Sequence, residues 1–267
     1  MKAKLLFFAM LLIGALPVFA QNPLVGTWVE TSDKVEEIKI ITPTHVMFLI
    51  RPLNADTVSM GGGGTYSLKG NKYIENLQTD DFTEYLINLE PYKKMKAAYD
   101  YKVENDKFYC KGTFIVSDSL KYPVNHTFVK VKSANSYPNN PGIGTWNQLS
   151  STYWGVDSKK QSHTNATATR FQIITPTHWI RTSTRDKKVE NRMAGTYTMQ
   201  GNKIYPVMEY ASFPINKSDK IEITQRIEGD KMYWSGIVKD ATGKAVFHFE
   251  DVFQRVPGKV NKIAAAK

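Results

Sequence analysis

The stretch "IITPTH" occurs twice in this chain, at Ile40–His45 and at Ile173–His178. A six-residue identity between segments 133 positions apart is unexpected in a chain of 267 residues. Two explanations are open at this stage. The repeat is either a duplicated active site that supplies a pair of histidines, or the trace of a duplicated fold.

Other short matches follow the same order along the chain, and they favour a duplicated fold. "GTW" at Gly26–Trp28 returns at Gly144–Trp146. The remaining pairs are "GTY" at Gly64–Tyr66 and Gly195–Tyr197, "GNK" at Gly70–Lys72 and Gly201–Lys203, "ENDKFYCKG" at Glu104–Gly112 with "EGDKMYWSG" at Glu228–Gly236, and "FVKV" at Phe128–Val131 with "FQRV" at Phe253–Val256. We therefore interpret the chain as a tandem duplication with units at 21–132 and 142–256. The segment 133–141 has the composition of a linker, and 257–267 that of a tail.

The first twenty residues resemble a secretory signal peptide. Lys2 and Lys4 precede an apolar run that ends in small residues, which predicts cleavage near Ala20. A membrane anchor is the alternative, but the run is short and is interrupted by Gly14 and Pro17. We therefore expect an exported protein, periplasmic or secreted, without a stable membrane anchor.

The net charge of the chain limits the kinds of partner that we expect it to bind. The net charge is +10, and it becomes +8 once Lys2 and Lys4 leave with the signal peptide. Such a charge favours acidic partners through long-range attraction. The lysines are scattered in short runs, so nucleic acid is not an expected partner. Cys110 is the only cysteine, so an internal disulfide is excluded.

Runs of β-branched and aromatic residues alternate with turn signals such as "KGNK", "ENDK", "QGNK" and "EGDK". The spacing is that of hairpins, without helical crossovers, which favours an antiparallel meander. Units of this size need covered sheet edges, and closing each sheet into a barrel covers them. The predicted fold class is all-β, with two tandem antiparallel up-and-down β-barrels.

The duplicated G-x-W on the first strand, with a basic residue near the end of the last strand, resembles the lipocalin (calycin) pattern. Phrases such as "ITPTHW" and "AGTYTMQGNK" are similar to secreted bacterial lipocalin-like proteins of unknown function. The resemblance implies that each tryptophan closes a barrel floor under a basic side chain, in a cation–π contact. The implied pairs are Trp28 with Lys130 and Trp146 with Arg255.

The first strand of the second unit is followed by an insertion. The distance from "GTW" to "IITPTH" is longer by 15 residues in this unit, since the offsets are 133 and 118. In lipocalins the connection after the first strand lies beside the open mouth. The resemblance therefore implies a lid over the second barrel, containing Tyr153 and Trp154.

Alternation along the predicted strands assigns side chains to the barrel interior. Polar groups on these apolar faces are either paired or in contact with a cavity, because an unpaired buried charge is costly. Glu75–His126 and Arg181–Asp251 are the candidate interior pairs. The candidate ligand-binding residues are Tyr66, Glu75, Tyr101, His126, Trp179, Arg181, Tyr197, Gln225, Trp234 and Asp251.

The side-chain directions around the second "IITPTH" have two solutions. If the alternation of Phe171 and Ile173 continues through the proline, Trp179 and Arg181 point inward and His178 points outward. If Pro176 introduces a bulge, the faces swap and His178 becomes an interior residue.

The chain lacks the motifs of common enzymes. The five histidines and one cysteine show no metal-ligand spacing, and there is no P-loop, dinucleotide fingerprint or G-x-S-x-G sequence. We therefore expect no cofactor, no metal and no catalytic residues. The leading hypothesis is a non-catalytic protein that binds small apolar or amphipathic ligands. The alternatives are a protein that binds acidic glycans or surfaces, and an enzyme that uses Glu75 and His126 as acid and base.

Overall fold

The computed structural model describes residues 22–80, 96–115, 119, 121–156, 159–164, 168–185, 188–214, 216 and 218–257. All regular secondary structure in these residues is β-strand. The strands are β1 Gly26–Thr31, β2 Val35–Ile41, β3 His45–Pro52, β4 Met60–Lys69, β5 Lys72–Asp80, β6 Lys96–Glu104, β7 Lys107–Ile115, β8 Lys121–Lys130, β9 Gly144–Gly155, β10 Gln161–Thr164, β11 Ala168–Ile174, β12 His178–Arg185, β13 Lys188–Gln200, β14 Lys203–Ala211, β15 Lys220–Glu228, β16 Lys231–Lys239 and β17 Ala245–Arg255. The predicted signal peptide and residues 258–267 of the tail lie outside the described residues. No helix in the described part of the chain is long and apolar enough to cross a membrane.

The first unit is a closed antiparallel barrel, called barrel 1. Each strand from β1 to β8 pairs with the next, and β1 pairs with β8 through Trp28–Lys130 and Val29–Val129. The second unit, barrel 2, closes by pairing of β9 with β17, and its wall contains β9 and β11–β17. The short strand β10 adds to the upper part of β9. The predicted fold class, two tandem antiparallel barrels, is confirmed.

The "IITPTH" repeat is a turn between the second and third long strands of each barrel. In barrel 1, Thr42 Oγ1 accepts a hydrogen bond of 3.0 Å from His45 N, and the Thr42 amide donates to His45 O at 2.9 Å. The Thr42 carbonyl also accepts from Tyr66 OH at 2.7 Å, which ties the turn to the barrel interior. Thr175 and Tyr197 make the same contact in barrel 2, at 2.7 Å. The repeat is therefore a feature of the duplicated fold.

Each barrel floor is closed by the tryptophan of its "GTW" motif. Trp28 Nε1 donates to Leu24 O at 2.7 Å, and Trp146 Nε1 donates to Gly142 O at 2.8 Å. Lys130 Nζ lies 5.4 Å from the centre of the Trp28 ring. The Arg255 guanidinium lies 4.1 Å from the Trp146 ring. Both cation–π pairs implied by the resemblance are therefore present.

The glycine of "GTW" is needed for its backbone conformation. Gly26 has a φ angle of 145° and Gly144 one of 139°, which side chains with a Cβ atom rarely adopt. A Cβ atom at either glycine would also approach the end of Lys130 or Arg255. The motif thus preserves a backbone kink that lets the basic side chain lie over the floor.

The faces of β11 differ from the alternation that we assumed. Phe171 and Ile173 point out of barrel 2 into a core between the barrels. Trp179 and Arg181 point inward, where they line a cavity, and His178 lies on the outer side and is 3% exposed. The inward direction of Trp179 and Arg181 agrees with the first of the two predicted solutions. The premise of that solution, that Phe171 and Ile173 face inward, is wrong, because the alternation of inward and outward side chains changes phase across the turn.

The core between the barrels is built from the outer faces of β2 and β3 in barrel 1 and of β11 and β12 in barrel 2. It includes Ile38, Ile40, Met47, Leu49, Phe171, Ile173 and Ile180. His45 also belongs to this contact, with its ring centre 5.5 Å from that of Phe171. Val58 N donates to Ala211 O at 2.7 Å across the same boundary. The two barrels therefore share a buried apolar surface.

A polar contact at the edge of this core gives a test of the coupling between the barrels. Tyr210 OH donates to Glu36 Oε1 at 2.9 Å, and Arg51 Nη2 lies 2.6 Å from the same oxygen. We expect Tyr210→Phe to lower the free energy of unfolding by about 1 kcal/mol, because one hydrogen bond to a carboxylate is lost. Urea denaturation measures this value. Tyr233→Phe, on an outer face against Arg226, is the control and should change it little.

Candidate functional site

A cavity of about 380 Å³ lies inside barrel 2. Its volume is in the range of pockets that hold small molecules. One side of the cavity is apolar and is formed by strands β13–β17. Representative residues of this side are Met193, Pro206, Met208, Ile221, Ile223 and Phe249. Of the predicted ligand-binding residues, five line the cavity: Trp179, Arg181, Tyr197, Trp234 and Asp251.

The opposite side of the cavity is polar. Arg170 on β11 and Arg181 on β12 both line it. Arg170 Nη1 donates to Gln148 Oε1 at 2.7 Å, and Arg181 Nε donates to Gln172 Oε1 at 2.8 Å. Each arginine is thus held in place by the amide oxygen of a glutamine on a neighbouring strand. The cavity is amphipathic, because strands β11, β12 and β17 supply its charged groups, Arg170, Arg181 and Asp251.

Arg181 and Asp251 form the predicted interior pair. Arg181 Nη2 lies 3.5 Å from Asp251 Oδ2. The guanidinium also lies 5.4 Å from the Trp234 ring and 5.3 Å from the Phe253 ring. Burial lowers the pKa of Arg181 and outweighs the opposing effect of Asp251. Arg181 is therefore a buried cation whose charge is partly balanced by its own protein.

Several polar atoms around this pair have no hydrogen-bond partner among the described residues. They are Asp251 Oδ1, Gln148 Nε2 and Gln172 Nε2. Leaving such buried groups unpaired costs about 1–3 kcal/mol each. Of the three residues only Asp251 lines the cavity, so its Oδ1 is the acceptor that a bound molecule could satisfy.

Arg170 was missed by the sequence analysis. Within the described residues it has no carboxylate partner, so the cavity holds two cations, Arg170 and Arg181, against one anion, Asp251. The sequence signal that could have identified Arg170 was its position two residues before Gln172, because side chains two residues apart on a strand share a face. Because Phe171 and Ile173 were assumed to face inward, the inward direction of Arg170 was not recognised. The excess positive charge makes the cavity suitable for an anionic group.

Gln225 is buried but is not part of the cavity lining. Gln225 Nε2 donates to Asn140 Oδ1 at 2.9 Å, and Gln225 Oε1 accepts from Trp234 Nε1 at 3.1 Å. Asn140 Nδ2 in turn donates to Tyr197 OH at 3.1 Å. Asn140 comes from the segment interpreted as a linker, and Tyr137 of the same segment stacks on Tyr197 at 5.5 Å. Gln225 therefore fixes the chain entering barrel 2.

In barrel 1 the predicted residues lie in a packed interior. Tyr66 accepts a hydrogen bond of 2.6 Å from Asn22 Nδ2, and the ring of Tyr101 packs edge-on against Tyr73. Glu75 is paired with Lys39 Nζ at 2.9 Å and accepts from Tyr73 OH at 2.7 Å. Burial raises the pKa of Tyr73, and Glu75 raises it further, so the phenol remains protonated.

The predicted Glu75–His126 pair is wrong. Glu75 is paired with Lys39, and His126 Nδ1 makes a short hydrogen bond with Glu30 instead. Burial lowers the pKa of His126, but Glu30 and Glu37 outweigh this effect and raise it. Lys39 was not predicted to lie inside, since β2 is buried on both faces and its sequence does not alternate. Glu75 and His126 therefore do not form an interior pair with each other.

At Tyr153 and Trp154 the insertion of barrel 2 forms part of the barrel wall and not the lid that the resemblance implied. Tyr153 and Trp154 lie on β9, opposite Phe249 and His248 of β17. Tyr153 lines the cavity, whereas Trp154 stacks on His248 at 5.3 Å. The inserted residues lengthen β9 and form β10, which pairs with β9. Residues 157–158 and 165–167 of the insertion lie outside the described residues.

Comparisons with known proteins do not identify the chain. No protein-family profile matches it, and no curated protein matches it. Among solved structures, a protein of unknown function from the DUF3598 family of Nostoc punctiforme is 8% identical with a TM-score of 0.28, over 88% of this chain and 97% of that one. Rv2717c from M. tuberculosis is 12% identical with a TM-score of 0.24, over 44% of this chain and 94% of that one. Scores of this size do not establish a common fold, so the fold assignment rests on the strand pairing.

Proposed function

We propose that the protein is a non-catalytic binding protein whose barrel 2 holds a small amphipathic anion. The observation that carries the proposal is the amphipathic cavity of about 380 Å³, in which two arginines face one aspartate. The anionic head of the ligand contacts Arg170, which lines the cavity. Its apolar body packs against Met193, Met208 and the other side chains of the apolar side.

Three further features support the same proposal. The duplicated G-x-W with its basic partner supports membership of the lipocalin-like proteins, which enclose small ligands in barrels. The apolar first twenty residues support export to the periplasm or the cell exterior. The separation of Glu75 from His126 supports a role without catalysis, because those two residues were the candidate acid–base couple.

In this proposal Arg170, rather than Arg181, anchors the anionic group of the ligand. Arg181 contacts Asp251, Gln172 and two aromatic rings, so its positive charge is already partly balanced. Arg170 is held only by Gln148 among the described residues. An anion at Arg170 therefore gains a full charge-assisted contact without displacing an existing ion pair.

Replacement of Arg170 tests the function. We expect Arg170→Gln to weaken the binding of dodecanoate at least tenfold, because a charge-assisted contact of about 1.5–3 kcal/mol is lost. Isothermal titration calorimetry at low salt measures the affinity. Dodecanol, which has the same chain without the charge, should bind the wild-type protein more weakly than dodecanoate.

Arg226→Gln is the matched control, since it removes the same charge from an outer face where Arg226 stacks on Tyr233 at 4.1 Å. Its dodecanoate affinity should equal that of the wild type. Equal affinities of the wild type and Arg170→Gln would contradict the proposal. A steep fall of binding to acidic oligosaccharides with salt, without binding of dodecanoate, would favour the glycan-binding alternative.

A further inference from the structure

Three metal-ligating side chains converge inside barrel 1, away from the cavity of barrel 2. They are Glu30 on β1, Glu37 on β2 and His126 on β8, and their ligand atoms all lie within 4.8 Å of one another. Glu30 and Glu37 are direct partners in the β1–β2 ladder. The strands are neighbours in the closed sheet, so the rigid wall of the barrel sets the spacing of the three groups.

The donor set suits a divalent ion of the first transition series. Two carboxylates and one imidazole bind Zn²⁺, Mn²⁺, Fe²⁺ and Co²⁺, and three protein ligands leave coordination positions for water. Two donors at about 2.1 Å from one ion lie at most about 4.2 Å apart. An ion would therefore draw the side chains together by a few tenths of an ångström. The side chains of Glu30 and His126 are 18% and 35% exposed, which gives an ion access from solvent.

The surroundings of Glu37 also favour a bound cation. Glu37 is 8% exposed, and its ion-pair partner among the described residues is Lys39, which it shares with Glu75. Its nearest cation is Lys39 Nζ at 3.4 Å from Oε1, but that ammonium is closer to Glu75, at 2.9 Å. A buried carboxylate with so little compensation is costly, and a bound ion would remove the cost.

The charges of the whole interior cluster lead to the same conclusion. Glu30, Glu37 and Glu75 are three carboxylates, whereas Lys39 is the one permanent cation among them. A divalent ion on His126, Glu30 and Glu37 balances this excess of negative charge.

The duplicated barrel has lost this donor set. In the alignment of the repeats, Glu30 corresponds to Gln148, Glu37 to Arg170 and His126 to Asp251. The same wall therefore carries an excess of negative charge in barrel 1 and an excess of positive charge in barrel 2. Divergence at three neighbouring positions indicates that the copies hold groups of opposite charge.

From this geometry we infer that Glu30, Glu37 and His126 form a binding site in barrel 1 for one divalent transition-metal ion. The inference is independent of the ligand proposed for barrel 2. Lys39 stays with Glu75 beneath the site, and the Thr127 amide, which donates to Glu30 Oε1 at 2.8 Å, orients the first carboxylate. Water completes the coordination of the ion.

Titration of the purified full chain with Zn²⁺ and Co²⁺ tests the site. Calorimetry should show one Zn²⁺ ion per chain, and Co²⁺ should give the visible absorption of a site with protein ligands. Glu37→Gln should weaken binding of both ions by about tenfold or more, as should Glu30→Gln. In the wild type, nitrogen NMR of the five histidine rings should show Zn²⁺-induced change at His126 Nδ1, which needs no variant.

Two variants outside the site serve as controls. Asp251→Asn changes the position in barrel 2 that corresponds to His126, and His248→Gln removes a histidine on the outer face of barrel 2. Both should bind Zn²⁺ as the wild type does. The inference is overturned if the wild type binds no ion, if His248→Gln abolishes binding, or if the Zn²⁺-dependent NMR change falls on another histidine.

Discussion

Lys39→Met is expected to lower the free energy of unfolding by about 3–5 kcal/mol, because it leaves buried carboxylates without their cation. Lys39 is 3% exposed, and its ammonium lies 2.9 Å from Glu75 and 3.4 Å from Glu37. It also lies 5.0 Å from the Phe128 ring. Burial alone would lower the pKa of Lys39, but Glu75 and Glu37 raise it well above its ordinary value. The lysine is therefore charged in the folded protein.

A second substitution separates the lost charge from the lost packing. Lys39→Met combined with Glu75→Gln should recover part of the loss, since the nearer carboxylate is then neutral while Glu37 stays without its cation. Lys203→Met is the control, because the Lys203–Glu222 pair lies on the surface and such pairs contribute at most about 1 kcal/mol. Urea denaturation at neutral pH measures all four proteins. A wild-type stability for Lys39→Met would show that the interior pair contributes nothing.

The fold was predictable because its signals are local and repeated. Alternation with a period of two placed Tyr66, Tyr73, Phe108 and Phe128 on one face of their strands, and all four lie in the core of barrel 1. The outer faces of these strands meet solvent, so apolar and polar residues separate cleanly.

Alternation failed where both faces of a strand are buried. The outer face of β2 packs against the other barrel, so Ile38 and Ile40 are as apolar as a core face while Lys39 between them points inward. β11 repeats this arrangement, with Phe171 and Ile173 outside and Arg170 and Gln172 inside. The contact between barrels is a tertiary feature, and nothing in one strand indicates it.

Partners were harder to predict than faces. Glu75 and His126 both point into barrel 1, yet each pairs with a residue near the start of the chain, Lys39 and Glu30 respectively. Which interior groups meet depends on the stagger of the strands around the closed barrel. Arg181 and Asp251 were paired correctly, since Arg181 Nη2 lies 3.5 Å from Asp251 Oδ2.

The histidines of "IITPTH" should make the protein less stable in acid. His178 is buried on the outer side of barrel 2, and burial lowers its pKa to about 4 from an ordinary value of 6.5. Burial lowers the pKa of His45 as well. In the unfolded chain these rings take up a proton below about pH 6.5, whereas folded His178 stays neutral until about pH 4. Their contribution to stability is therefore complete above pH 6.5 and is lost as the pH falls toward 4.

His178→Gln measures this contribution. Between pH 7 and pH 4 the wild type should lose up to about 3 kcal/mol through His178, at about 1.36 kcal/mol for each unit of pKa shift. The variant should lack this part of the pH dependence, even if its stability at pH 7 is lower. His248→Gln, which changes a ring stacked on Trp154, is the control for a histidine substitution elsewhere in barrel 2. Parallel slopes for wild type and His178→Gln in urea titrations at several pH values would mean that folded His178 takes up a proton as readily as the unfolded chain does.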